Sequence, residues 1–148
     1  MLMGPEKIEH LLPHGPRMRL IDAIVSFDDE SLLAITTRHL DSDNPLRRPC
    51  GLLSITTGIE FAGQVTALHG ALIDRSERST PRQGYLVMAR DVAWQIERLD
   101  QLESALEISV ALLNHSEQSA MYHFCIETEA HSLLMKGRIA VYFQGVST

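Results

Sequence analysis

The chain has 148 residues, 45% of them hydrophobic and 22% charged, which fits one globular domain over residues 1–148. A chain of this size can remove roughly 70% of its unfolded surface from water. Its formal charge of −6 leaves no basic footprint for a nucleic-acid backbone or an anionic membrane surface. The two cysteines, Cys50 and Cys125, form no CxxC pair and have no second ligand at metal spacing. Neither a disulfide framework nor a metal site is expected, and reduced thiols point to the cytoplasm.

The N-terminal run MLMGPEKIEHLLPHGP carries acids and prolines where a secretory signal needs a basic start and a continuous apolar core. A short helix is expected over Glu6 to Leu12, ended by Pro13 and Gly15. MRLIDAIVSF and SLLAITTRHL read as two strands separated by the acidic turn Asp28–Asp29–Glu30. The stretch from Leu40 to Gly51 has two prolines and no apolar period, and is expected to be a loop.

Ser54 can cap a long helix whose apolar residues fall on two faces, Ile55, Ile59, Ala62 and Ile73 on one, Phe61, Val65, Leu68 and Leu72 on the other. Between them runs a stripe of Thr56, Glu60, Gln64, Ala67 and Ala71. Glu60, Gln64 and His69 interrupt the stretch 52–73, so it is not expected to span a membrane. Asp74 to Gln83 is charged and contains Pro81, and is expected to be a solvated excursion. Period-two alternation in the remainder gives four strands, with hairpin turns at Asn114–Gln118 and Ala130–Ser132. Two early strands, one long helix and four later strands describe an α+β domain in which an antiparallel sheet packs on a helix.

Glu60 is the first candidate for chemistry, because a carboxyl between two apolar helix faces is expected to resist ionisation and serve as a general acid. Gln64, one turn on, can hold that acid by a hydrogen bond. The first-turn N–H groups around Ile55 and Thr56 are expected to be free to polarise a carbonyl oxygen. His14 and His39 are the histidines nearest the loop, each weighed against a structural or solvated role. Arg47 and Arg48 can contact an anionic carrier, although a solvated surface pair explains them as well.

The segments PHGPRMRLID, DNPLRRPCGLLSITTGIEFAGQ and GYLVMARDVAWQIERLD together resemble the hot-dog-fold 3-hydroxyacyl-acyl-carrier-protein dehydratases. The branch most like them is the predicted dehydratases of fatty-acid-like and aryl-polyene pathways. GIEFAGQ is similar to the family's helix signature, an acid followed four residues later by glutamine. The resemblance implies a sheet wrapped around one helix, pairing of two subunits and a site at their boundary. It further implies a loop histidine that removes the α-proton of a 3-hydroxyacyl thioester, a helix carboxyl matched by Glu60, and no cofactor. The acyl carrier protein would be the partner that delivers substrate.

Two departures stand out. Where the family's loop reads His-Pro-Leu, this chain has Asn44–Pro45–Leu46, and an amide offers no basic site near neutral pH. Ser54–Ile55 replaces the Pro-Gly pair that starts the family's helix. Three functions stay open. One is a dehydratase whose base comes from His39 or a partner subunit. Another is a non-catalytic acyl-binding or partner subunit that completes or stabilises a site in a heterodimer, and the pairing implied by the resemblance can be a homodimer or a heterodimer. The third is a hot-dog acyl thioesterase using Glu60.

Overall fold

The computed structural model describes residues 2–12, 18–77 and 83–144. Helix α1 (Pro5–Leu11) starts with its proline at the first helical position, where the missing N–H is no loss. Strands β1 (Ala23–Phe27) and β2 (Ser31–Thr36) are joined by a turn that Asp28 organises. Its carboxylate Oδ1 accepts from the backbone N–H of Glu30 at 2.9 Å and of Ser31 at 2.8 Å. A 3-10 turn over Arg38–Leu40 leads into the loop, and a second over Ile55–Thr57 runs into the long helix α2 (Gly58–Glu77). Strands β3 (Gln83–Trp94), β4 (Leu106–His115), β5 (Ser119–Thr128) and β6 (Leu133–Gln144) complete the chain.

The six strands form one antiparallel sheet in the order β1-β2-β4-β5-β6-β3. Alternation puts Leu106, Ile108 and Val110 of β4 and Tyr122, Phe124 and Ile126 of β5 on one face, all buried. Phe61, Val65, Leu68 and Leu72 of α2 pack into the same core. Each such side chain contributes about 1.5–3 kcal/mol of burial, so this face fixes the helix on the sheet. Gly58 lets the helix start close on it, since a Cβ there would lie 3.0 Å from Ile126 Cδ1 and 3.1 Å from Met135 Sδ. His69, fully buried on α2, joins the helix to both ends of the sheet's first half. Its Nε2 donates to the Asp28 carbonyl at 2.9 Å, which leaves Nδ1 to accept from the Tyr122 hydroxyl at 2.8 Å.

The architecture is the one expected, with four boundaries moved for identifiable reasons. Residues 18–22 do not join the first strand, because the Leu20 N–H is taken by Gln64 rather than by a neighbouring strand. The second strand stops at Thr36, where the Asp22 carboxylate captures the Thr37 N–H at 2.8 Å and starts the 3-10 turn. Asp74 to Glu77 continue the helix instead of opening an excursion, and residues 78–82 lie outside the described ones. β3 ends at Trp94 because the backbone beyond it turns to the helix start, where Glu97 accepts from the Ile55 N–H.

Candidate active site

The loop between the first 3-10 turn and α2 is held by its own polar side chains. Asn44 is buried at 4% exposure. Its Nδ2 donates to the Arg38 carbonyl at 2.8 Å and its Oδ1 accepts from the Leu46 N–H at 2.9 Å. The side chain expected at the family's histidine position is therefore a loop brace with both ends of its amide engaged. Arg47 is half-buried, and its guanidinium gathers the carbonyls of Asp41 (2.8 Å), Gly51 (2.7 Å) and His39 (3.1 Å). This corrects the solvated reading of the arginine pair for Arg47, whose five-donor fork suits converging carbonyls; Arg48 is exposed. Gly51 turns the loop tip at φ +91°, a conformation that favours glycine.

His39 has no exposed surface. Its Nε2 donates to the Leu102 carbonyl at 3.1 Å, and Nδ1 is buried without a hydrogen-bond partner among the described residues. Burial pushes its pKa below the usual 6.5, outweighing the Leu102 carbonyl that favours the charged form. A neutral, sealed imidazole cannot reach a substrate, so His39 does not present the base that the loop lacks. His14 lies outside the described residues.

At the helix start the expected free donors are occupied. The Ile55 N–H donates to the Glu97 carbonyl at 3.0 Å, and the Thr56 N–H to Ser54 Oγ at 3.2 Å. The 3-10 turn explains this, because it brings Ser54 round as a cap and lays segment 95–100 alongside. That segment is itself anchored. Asp100 Oδ1 accepts from the Leu53 N–H at 2.9 Å and from Arg98 Nε at 3.0 Å. The Arg98 guanidinium foremost, with the Leu53 N–H behind it, holds the Asp100 carboxyl far below the usual carboxylate range. The Arg98–Asp100 clamp leaves one trace in the sequence, an arginine and an acid two residues apart.

Glu60 is exposed, which corrects the expectation of a carboxyl enclosed between two apolar faces. Phe61, Val65 and Leu68 of one expected face and Ile55 and Ala62 of the other are buried, whereas Ile59 and Ile73 are only half-buried and Ala67 is exposed. Within one subunit the sheet covers a single side of α2. Gln64 does not hold Glu60 either. Its Oε1 accepts from the Leu20 N–H at 2.8 Å and its Nε2 donates to the Met18 carbonyl at 2.5 Å, tying α2 to the segment preceding β1. The structure thus brings Thr56 and Glu60 together on one open helix face and turns Asn44, His39 and Gln64 away from it.

Elsewhere, Cys125 is no nucleophile. Burial first, and the neighbouring Glu127 carboxylate second, push its thiol up to about 11. Among the described residues no three His, Cys, Asp or Glu side chains gather to hold a metal ion, and no helix is long and apolar enough to cross a membrane.

Known structures share this arrangement. The dehydratase heterocomplex ApeI:P from Xenorhabdus doucetiae superposes with a TM-score of 0.82 at 22% identity, over 94% of this chain and 91% of that one. A hypothetical thioesterase with coenzyme A from Streptococcus pneumoniae TIGR4 gives 0.61 at 11% identity, over 85% and 88%. A thioesterase from Haemophilus influenzae gives 0.61 at 16%, over 97% and 92%. At these identities the likeness establishes the hot-dog fold and nothing finer. Among curated protein sequences, none matches the chain. The model of ApeP-like proteins, described as ApeP dehydratase, matches residues 6–146, nearly the whole length. With a hot-dog sheet, one central helix and that match, the chain belongs to the ApeP-like dehydratase family.

Proposed function

We propose that this chain is one subunit of a two-subunit hot-dog dehydratase acting on 3-hydroxyacyl groups carried as thioesters on acyl carrier protein in the cytoplasm. Dehydration breaks the Cα–H and Cβ–O bonds, forms the C=C bond and releases water. It requires a base for the α-proton and an acid for the departing hydroxyl. Glu60 is the acid in this reading.

The observation that carries the proposal is the contrast at the helix start. Glu60 stands open on an uncovered helix face, while the loop beside it offers no base, its Asn44 and His39 being turned inward and sealed. The base then comes from a second hot-dog subunit placed over that face, and the fold match to a chain of a dehydratase heterocomplex supports such a pairing. Covering the face would also exclude water from the reacting carbons. A thioester carbonyl reaching the helix start would have to displace Ser54 Oγ from the Thr56 N–H, a hydrogen bond of 3.2 Å.

The test follows enoyl thioester and free thiol separately, from a short 3-hydroxyacyl thioester on carrier protein. The chain is assayed alone and after co-purification with a second hot-dog subunit from the same organism. Enoyl product from the pair and none from the chain alone is the expected result. Full dehydration by the chain alone contradicts the shared site, and thiol release without enoyl product turns the reading to a thioesterase.

A further inference from the structure

Between Ser54 and Ile73 most polar side chains are engaged within the subunit. Thr57 Oγ1 donates to the Ser54 carbonyl at 2.6 Å, and Thr66 Oγ1 to the Ala62 carbonyl at 3.0 Å. Gln64 is bonded to Met18 and Leu20, and His69 has a partner on each ring nitrogen. Ser54, Thr56 and Glu60 remain. Ser54 is half-buried, whereas Thr56 and Glu60 are both exposed. The 3-10 turn that holds Thr56 runs directly into α2, so Thr56 and Glu60 stand four residues and about one turn apart. On a helix that spacing leaves about 5–6 Å between Cβ atoms, close enough for both side chains to reach one small group.

Thr56 is also set up to accept a hydrogen bond. Its Oγ1 lies 2.9 Å from Ser54 Oγ, which accepts the Thr56 N–H at 3.2 Å. A hydroxyl oxygen has two lone pairs, so Ser54 Oγ can accept the Thr56 O–H as well as the N–H. With its proton directed to Ser54, Thr56 Oγ1 presents lone pairs to the open face, where it has no other hydrogen-bond partner among the described residues.

We infer that Thr56 is a specificity-determining residue that binds the substrate's 3-hydroxyl: its Oγ1 accepts the hydroxyl hydrogen while Glu60, one turn on, addresses the same oxygen. This rests on the function proposed above and adds to it the group that distinguishes a 3-hydroxyacyl thioester from a saturated one. In the elimination the α-proton leaves to the base, the C=C bond forms as the Cβ–O bond breaks, and the oxygen takes the Glu60 proton. The departing water keeps the hydrogen that Thr56 accepts, so Thr56 transfers no proton. A hydroxyl held by two fixed groups keeps its C–O bond in one orientation. A site that pairs with a substrate hydroxyl also disfavours the analogue lacking it.

The experiment uses the assembled two-subunit complex and two pantetheine thioesters of equal chain length, one 3-hydroxyacyl and one saturated. Where the complex turns over, KM for the first and Ki for the second are measured; where it does not, both affinities are read by calorimetry. Thr56→Val keeps the shape of the side chain and removes its hydroxyl. It should weaken the 3-hydroxyacyl thioester about five- to tenfold and leave the saturated one within about twofold, and Thr56→Ser should restore the difference. The saturated thioester reports whether the helix start is intact, a readout that a structural role for Thr56 would move equally. Both affinities falling together, or neither changing, overturns the inference, and binding of neither thioester to the wild-type complex overturns it together with the dehydratase reading. Discrimination lost in Thr56→Val from a complex that dehydrates nothing leaves the hydroxyl site standing and removes the dehydratase reading. Dehydration with discrimination unchanged does the reverse.

Discussion

The loop from Arg38 to Leu53 and the open face of α2 meet at the helix start and treat their polar groups in opposite ways. In the loop, Asn44 has both ends of its amide bonded to backbone, Arg47 holds three carbonyls, and His39 is sealed under Leu102. On the helix, Glu60 stands exposed with no hydrogen bond or ion pair to a described residue. A polar group that satisfies itself within its own chain stabilises that chain, and one left open is available to a substrate or a second subunit. The difference teaches which departures from a family pattern matter. In the function proposed above, Asn44 is a histidine position converted to structure, while Glu60 keeps the chemistry.

The largest effect expected from breaking this contrast is at Glu60. Glu60→Gln should lower dehydration by the two-subunit complex about a hundredfold or more, the range for removing a general acid. The urea midpoint of the chain alone should stay where it is, because in the single subunit the carboxylate is exposed and holds nothing in place. Asp100→Ala acts at the junction of the two regions. It leaves the buried Leu53 N–H without an acceptor and Arg98 without its partner, and should destabilise the chain by about 2–3 kcal/mol in chemical denaturation. Asn44→Ala removes two buried hydrogen bonds from the loop and should cost about 1–2 kcal/mol while the helix face is unchanged.

The gentlest probe is pH. His39 and His69 are buried, and desolvation lowers both below the usual 6.5, against the opposing pull of the Leu102 and Asp28 carbonyls. The unfolded chain therefore binds protons at a pH where the folded one does not. Stability should be full above about pH 6.5 and should fall as the pH drops from there through the lowered folded values. A urea midpoint followed between pH 7.5 and 5 checks this, and His69→Gln should flatten part of the slope. A midpoint that rises on acidification would mean the two rings are charged in the fold.

Much of the fold is legible in the sequence because burial repeats with a period. The alternation of Leu106, Ile108 and Val110, and of Tyr122, Phe124 and Ile126, marks strands wherever one face is buried. The 3.6-residue spacing of Phe61, Val65, Leu68 and Leu72 marks the helix in the same way. Periodicity fails where a side chain competes for the backbone. Asp22 ends β2 early by taking the Thr37 N–H, and Gln64 keeps residue 20 out of the sheet. The open side of α2 was misread for a different reason. Ile59 and Ile73 are apolar enough to be buried, but among the described residues there is no second layer to bury them, and composition does not say whether a partner does. The site was legible as a set of residue types and not as an arrangement. The free donor at Ile55 vanishes because a segment forty residues away, 95–100, pairs with it, a contact without a local signal, while the Thr56 N–H is taken by the neighbouring Ser54 cap.

The most direct test of the division between loop and helix face compares Glu60→Gln with Asn44→Ala, measuring enoyl thioester formed per folded molecule in the assembled complex and the urea midpoint of each chain alone. The expected result is a crossed one: Glu60→Gln loses turnover and keeps its midpoint, while Asn44→Ala keeps turnover and loses midpoint. Turnover retained by Glu60→Gln, or lost by fully folded Asn44→Ala, would contradict the assignment of chemistry to the helix and structure to the loop.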